Sequence, residues 1–291
     1  MNRQMPGLLL LILVCMVPLG CVPNGEVAPS HQTNTSHTAG ELEVHYLDIG
    51  QGDSIYIKTP AGEDILIDGG KNAAGKRVVN ALKSYGVEDI EMLISTHPDS
   101  DHVGGLDDVL KAFPVKAVYA PKVAHTTETY MDFLQAVKAE GVRITSAKAG
   151  VILPLQDVTA AFVGPVKEYA STDLNDWSAV LHLTYGTTSF LFTGDAEIKA
   201  EKNMVATKQP IQADVIKVGH HGARTSTSAV FIKAVQPTYA IISVGKNSYG
   251  HPHPEITNRL KAEKITTLRT DQKGTITAMS DGKTISFTTE R

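Results

Sequence analysis

The sequence predicts an α/β protein in which two mixed β-sheets are covered by helices, and three observations carry that expectation. Short β-rich runs alternate with helical stretches from Glu41 onward, and the alternation recurs in both halves of the chain. The last part returns to strands punctuated by Lys273-Gly274 and Asp281-Gly282 turns.

Taken in order, residues 42–47 alternate as a half-buried strand does, and strands at 54–58 and 64–67 follow, with Pro60-Ala61-Gly62 turning between them, so the opening is a meander. A helix over 76–85 stops at Gly86 and leads to an apolar strand at 90–95. Helices are expected at 106–113 and 127–140 and strands at 115–119, 158–163, 180–185, 189–193, 214–218 and 239–244. Helices at 196–206, 227–235 and 254–263 alternate with the later strands, and strands at 266–269, 275–279 and 284–288 close the chain.

With 291 residues, 42% of them hydrophobic and 20% charged, the chain can bury a substantial core and is neither disordered nor a disulfide-stapled miniprotein. Lys and Arg number 27 against 31 Asp and Glu, so the net charge of −4 supplies no global field for nucleic acid, and any such role needs a local patch. Two cysteines exclude a four-Cys zinc site, which leaves the 11 histidines as the conspicuous ligand type.

Residues 1–20 read as a signal segment: Arg3 precedes an apolar run at 8–17 that is too short to span a bilayer. The run ends in Val17-Pro18-Leu19-Gly20-Cys21, which resembles a bacterial lipoprotein cleavage box whose Cys21 becomes the lipidated mature terminus. Residues 21–40 are rich in Pro, Ser, Thr, Asn and Gly without apolar periodicity, and read as a tether with a root-mean-square span on the order of 25 Å. His31 and His37 fall in it. The expected organisation is therefore signal 1–20, lipid-anchored tether 21–40 and a folded domain 41–291, held at the cell membrane on its extracytoplasmic side.

Chemistry concentrates where strands end. His97-Pro98-Asp99-Ser100-Asp101-His102 follows the apolar Met92-Leu93-Ile94 and places four candidate ligands in one tight loop. Imidazoles and carboxylates packed so densely repel or stay unpaired unless divalent cations join them. Gly104-Gly105 then lets the backbone pass tightly into the next helix.

Asp68 in Ile67-Asp68-Gly69-Gly70, the His97 to His102 cluster, Asp195 in Thr193-Gly194-Asp195 and His220-His221-Gly222 match the metallo-β-lactamase superfamily in order and spacing. With Gly50-Gln51-Gly52-Asp53-Ser54 and Tyr249-Gly250-His251-Pro252-His253, the chain from Glu41 to Arg291 resembles the hydrolase domain at the C-terminal end of ComEC-type DNA-uptake proteins. The resemblance implies an αββα four-layer sandwich and two divalent metal ions, zinc or manganese. His97 and Asp99 would bind the first, Asp101 and His102 the second, and Asp195 both, with either His220 or His221 completing the second position. Asp68 would orient the ligand loop, Asn175, Ser178 and Ser226 would either support the ligands or meet the substrate, and His251 would stand near the site. Catalytic roles fall to Asp101, Asp195 and His251.

Two departures from the superfamily's commonest pattern are shared with the ComEC-type branch: Asp99 stands where a histidine is usual, and Asn175-Asp176-Trp177-Ser178 occupies the place of a mid-domain histidine. Oxygen ligands make the first position harder, which favours Mn²⁺ or loosely held Zn²⁺. The implied activity is a phosphodiesterase whose substrate includes DNA; a small-molecule phosphoesterase and a non-catalytic metal-binding lipoprotein are the alternatives. The lysines at 122, 167, 199, 202, 208 and 217 are scattered along the sequence, so a basic groove is not legible there.

Overall fold

The structure, a computed structural model, describes residues 1–2 and 40–291. The expected signal and the tether with Cys21 therefore lie outside the described residues, apart from their outermost positions. Among the described residues no helix is long and apolar enough to cross a membrane.

The first half runs β1 (Leu42–Tyr46), β2 (Ile55–Lys58), β3 (Asp64–Ile67), α1 (Gly75–Ser84), β4 (Ile90–Ile94), α2 (Ser100–Val103), α3 (Leu106–Ala112), β5 (Val115–Ala120), α4 (Glu128–Glu140) and β6 (Ile144–Ser146). The second runs β7 (Thr159–Gly164), β8 (Val180–Tyr185), β9 (Thr188–Phe192), α5 (Ile198–Ala206), β10 (Val215–Lys217), α6 (Ala229–Val235), β11 (Tyr239–Ile242), α7 (Pro254–Ala262) and β12 (Thr266–Arg269). A last helical turn α8 (Thr270–Lys273) precedes β13 (Ile276–Ser280) and β14 (Ile285–Thr289).

Both halves follow one plan. Strands β1, β2 and β3 form an antiparallel meander, after which β4, β5 and β6 add in parallel to β3. Likewise β7, β8 and β9 are antiparallel, and β10, β11 and β12 add in parallel to β9. Helices make each parallel crossover, as a parallel connection requires. The hairpin β13–β14 returns to the first sheet and pairs antiparallel with β1, giving orders β14-β13-β1-β2-β3-β4-β5-β6 and β12-β11-β10-β9-β8-β7.

Side-chain alternation builds the layers. Ile55 and Ile57 of β2, Ile65 and Ile67 of β3, Phe190 and Phe192 of β9 and Val215 of β10 belong to one core shared by the two sheets. Their neighbours Tyr56 and Leu66 pack outward with Val78, Leu82, Val109 and Phe133 of the first half's helices, while Leu191 and Ile216 pack with Met204, Phe231, Ile232 and Leu260 of the second half's. The result is the expected αββα four-layer sandwich, and each fully buried aliphatic side chain contributes about 1.5–3 kcal/mol to holding it.

Candidate metal centre

Corresponding strands in the two halves deliver the ionisable residues. Asp68 follows β3 and the 97–102 loop follows β4; Asp195 follows β9 and His220-His221 follow β10. All four stations stand at the carboxyl ends of parallel strands, where a β-to-helix crossover opens a crevice.

In the first half, Asp99 is the N-cap of α2, yet its carboxylate makes no capping hydrogen bond; its Oδ2 lies 3.5 Å from His97 Nε2. A strong capping residue that does not cap leaves its oxygens free for another partner. Asp68 takes a left-handed conformation and accepts from the Thr96 amide at 2.8 Å, the Thr96 hydroxyl at 2.6 Å and His102 Nδ1 at 2.8 Å.

These contacts fix the imidazole tautomers. An ionised carboxylate only accepts, so His102 donates through Nδ1 and turns the Nε2 lone pair inward. The Thr96 hydroxyl spends its proton on Asp68 and so accepts from His97 Nδ1 at 3.1 Å. His221 Nδ1 donates to the Ser243 carbonyl at 2.9 Å. The Nε2 atoms of His97, His102 and His221 are buried and have no hydrogen-bond partner among the described residues.

The second half closes the centre. Gly194 takes φ +52°, and a Cβ there would come within 3.0 Å of Thr96, so only glycine lets β9 turn into Asp195. The Asp195 amide donates to Ser178 Oγ at 3.0 Å. His220 and His221 both take left-handed conformations, at φ 47° and 52°. Such residues cost on the order of 1 kcal/mol or more and persist where the surroundings over-determine them. Here Ser226 Oγ donates to the Gly219 carbonyl at 2.6 Å, Thr227 Oγ1 accepts from the Gly219 amide at 3.1 Å and the Ala223 amide donates to the His220 carbonyl at 2.8 Å.

One oxygen gathers the imidazoles: Asp195 Oδ2 lies 3.2 Å from His102 Nε2, 3.4 Å from His221 Nε2 and 3.8 Å from His220 Nε2. Donor atoms of His97, His102 and Asp195 lie within 4.8 Å of one another, as do those of Asp101, His102 and His221, and those of Asp53, Asp195 and His221. The first two groups adjoin through His102. His221, with its side chain 1% exposed, is the member of the His-His pair that enters them; His220 is 25% exposed and donates through Nδ1 to Glu197 Oε1 at 3.0 Å.

The local field favours cations. Burial alone lowers an imidazole pKa, but the carboxylates of Asp195 and Asp68 hold His102 well above its ordinary value, and those of Asp195 and Asp53 do the same for His221. Against the opposing effect of burial, His102 and His221 in turn hold the Asp195 carboxyl well below the carboxylate range. Orphaned inward Nε2 atoms ringed by carboxylates are a donor set suited to divalent metal, which would take the place of those protons.

The other expected residues fall into two sets. Asn175 lies beside His220 and donates from Nδ2 to Glu197 Oε1 at 3.2 Å, and His251 is half-buried with its ring 5.4 Å from that of His220. Burial, His220 and His221 lower the His251 pKa. Ser178 and Ser226, by contrast, are 1% and 0% exposed, and their hydroxyls brace the Asp195 amide and the Gly219 turn, which places them as supports behind the donors and not on the substrate side. His125 bonds to Thr127 and His182 to the Gln212 carbonyl, outside the donor groups.

Three participants escaped the sequence reading. Asp53 is 1% exposed and its Oδ2 is 2.5 Å from the Nζ of Lys217, which is fully buried; Glu197 orients His220. A lysine inside the apolar Val215-Ile216-Lys217-Val218 was the available signal for the first two.

The sequence profile of the metallo-β-lactamase superfamily matches residues 47–246. ComE operon protein 3 of Bacillus subtilis strain 168 is 36% identical over 256 residues, covering 82% of this chain and 33% of that protein. Competence protein ComA of Neisseria gonorrhoeae is 35% identical over 81% of this chain and 32% of its own length. The chain thus spans about a third of these relatives. The metallo-β-lactamase fold protein YhfI of Bacillus subtilis superposes with a TM-score of 0.54 at 9% identity, over 82% of this chain and all of its own, a likeness of fold alone. With the four-layer sandwich, the strand-end donor loops and the profile match in agreement, the chain belongs to the metallo-β-lactamase superfamily.

Proposed function

We propose that residues 41–291 form a divalent-metal-dependent phosphodiesterase that acts on nucleic-acid strands outside the cytoplasmic membrane. The observation that carries the substrate class is a cleft of about 660 Å³ lined by Asn175 and Glu197, which contact His220, and by Lys167, Lys199 and Lys202 together with Asp173 and Asp176. A second hollow of about 410 Å³ shares Lys167 and adds Lys122 and Lys148. Lys199 is paired with Asp173 at 2.6 Å, whereas Lys122, Lys148, Lys167 and Lys202 form no ion pair among the described residues. Lysines dispersed in sequence thus line two hollows that share Lys167, where ammonium groups without ion-pair partners attract a polyanion. A single small phosphoester would leave most of them unused.

In this reading His97 and Asp99 hold one metal, Asp101, His102 and His221 hold the other, and Asp195 is common to both. Two such cations supply an activated water and neutralise charge on the phosphoryl oxygens. The carboxylate at Asp99 favours Mn²⁺ over Zn²⁺. Glu197 accepts from His220 Nδ1 and from Asn175 Nδ2, so the two residues fix the His220 ring beside an incoming phosphodiester. His251, kept neutral by burial and its histidine neighbours, offers an N–H to the leaving oxygen.

The test measures turnover of bis-p-nitrophenyl phosphate, single- and double-stranded DNA, phosphocholine esters and nitrocefin with Mn²⁺ or Zn²⁺. Diester cleavage without β-lactam cleavage is expected, and Lys167→Ala/Lys202→Ala should weaken DNA turnover while sparing the small diester, lowering the salt slope by about 0.7 per lost phosphate contact. Nitrocefin cleavage with inert diesters overturns the assignment. The same proposal anchors the domain through lipid on Cys21, so Cys21→Ser should release the protein from membranes; retention there refutes the anchor.

A further inference from the structure

Lys217 ends β10, and its ammonium lies deep in the wall of the centre. Nζ donates to the Gly194 carbonyl at 3.2 Å, pairs with Asp53 Oδ2 at 2.5 Å and stands 3.8 Å from Asp195 Oδ1. The two oxygens of Asp195 therefore face different ways: Oδ1 toward this ammonium, Oδ2 toward three imidazole Nε2 atoms. Asp53, Asp195 and His221 also form a donor group of their own, and Lys217 contacts both of its carboxylates. A buried carboxylate pair of this kind needs a counter-charge, and the chain brings its own from β10.

We propose that Lys217 is the built-in cation of the centre: its ammonium fills the position between Asp53 and Asp195 and holds Asp195 so that Oδ2 alone is presented to the imidazoles. Lys217 is thus a positioning residue for the shared ligand, an assignment that rests on the reading of Asp195 as common to two metals. It also reserves the Asp53–Asp195–His221 group against exogenous cations.

Two variants test this. In Lys217→Ala, Asp53 loses its nearest counter-charge and keeps only the more distant rings of His221 and His102, at 3.4 and 3.9 Å, so the metal-free protein should melt lower by on the order of 10 °C. Ammonium and methylammonium should restore much of that loss by binding where Nζ stood, tetramethylammonium at matched ionic strength should not, and the wild type should respond to none of them. The charge-neutral Asp53→Asn/Lys217→Met removes the ion pair without changing net charge. It should melt near the wild type, yet bind Mn²⁺ about tenfold or more weakly in calorimetric titration, because Asp195 is no longer held. Equal Mn²⁺ affinity in wild type and double variant, or a Lys217→Ala protein indifferent to small ammonium ions, overturns the proposal. Failure of the wild type itself to take up metal overturns the reading of the site instead, and leaves the ammonium result to stand separately.

Discussion

The two halves of the domain share a topology and divide the chemistry unequally. After β4 the first half packs His97, Asp99, Asp101 and His102 into one loop, held from β3 by Asp68; after β9 and β10 the second half offers one carboxylate and one buried imidazole toward the same point. The first half's donors are fixed by a side-chain relay through Thr96, the second half's by strained turns, Gly194 and the two left-handed histidines. Strand ends determine where groups stand, and local loop chemistry determines which oxygen or nitrogen they present.

The sharpest way to break this division is through Asp195, the carboxylate proposed to serve both metals. Asp195→Ala should lose metal from both positions and abolish turnover, whereas Asp99→Ala should lose it from the first alone; elemental analysis of both proteins separates the two. Near-normal activity with two metals in Asp195→Ala refutes its bridging role.

A smaller effect belongs to the relay. Asp68→Asn places an amide where three donors converge, loosening His102 and Thr96, and should weaken metal binding by about 10–100-fold with little change in fold, as read by competition with a chelating dye. An unchanged affinity means that the first half does not need its relay.

The smallest effect concerns a device of the second half. Burial pushes the Glu201 carboxyl up to about 6, and it caps the start of α6 by accepting from the Thr227 and Ser228 amides. A carboxyl raised in the folded state contributes stability below its unfolded pKa that is lost as pH rises through the folded one. The stability of the wild type relative to Glu201→Gln should therefore fall by about 2 kcal/mol between pH 4 and pH 7, measured by urea unfolding. A flat difference shows that the amides, and not burial, dominate there.

Periodicity and turn residues made the meander, the parallel strands and the 97–102 cluster legible, because each is encoded in contiguous residues. Other features depend on long-range pairing. Ile144-Thr145-Ser146 is a short strand, largely exposed at the sheet edge, with no apolar alternation, and β13–β14 joins β1 across the whole domain, so neither place could be read from local pattern. Whether His220 or His221 turns inward depends on two successive positive φ values, which residue identity does not specify. Lys217 looked like one more dispersed lysine because its partner Asp53 comes from the other half, and the cleft that brings Lys167 beside Lys199 and Lys202 likewise exists only in the folded chain.

Metal stoichiometry measured together with turnover addresses the central claim, that loops from both halves make one two-metal centre. Mn²⁺ titrated into the metal-free protein should bind to two equivalents per chain, with hydrolysis of bis-p-nitrophenyl phosphate rising only as the second is taken up. Full turnover at one equivalent, or turnover that survives complete chelation, would contradict it.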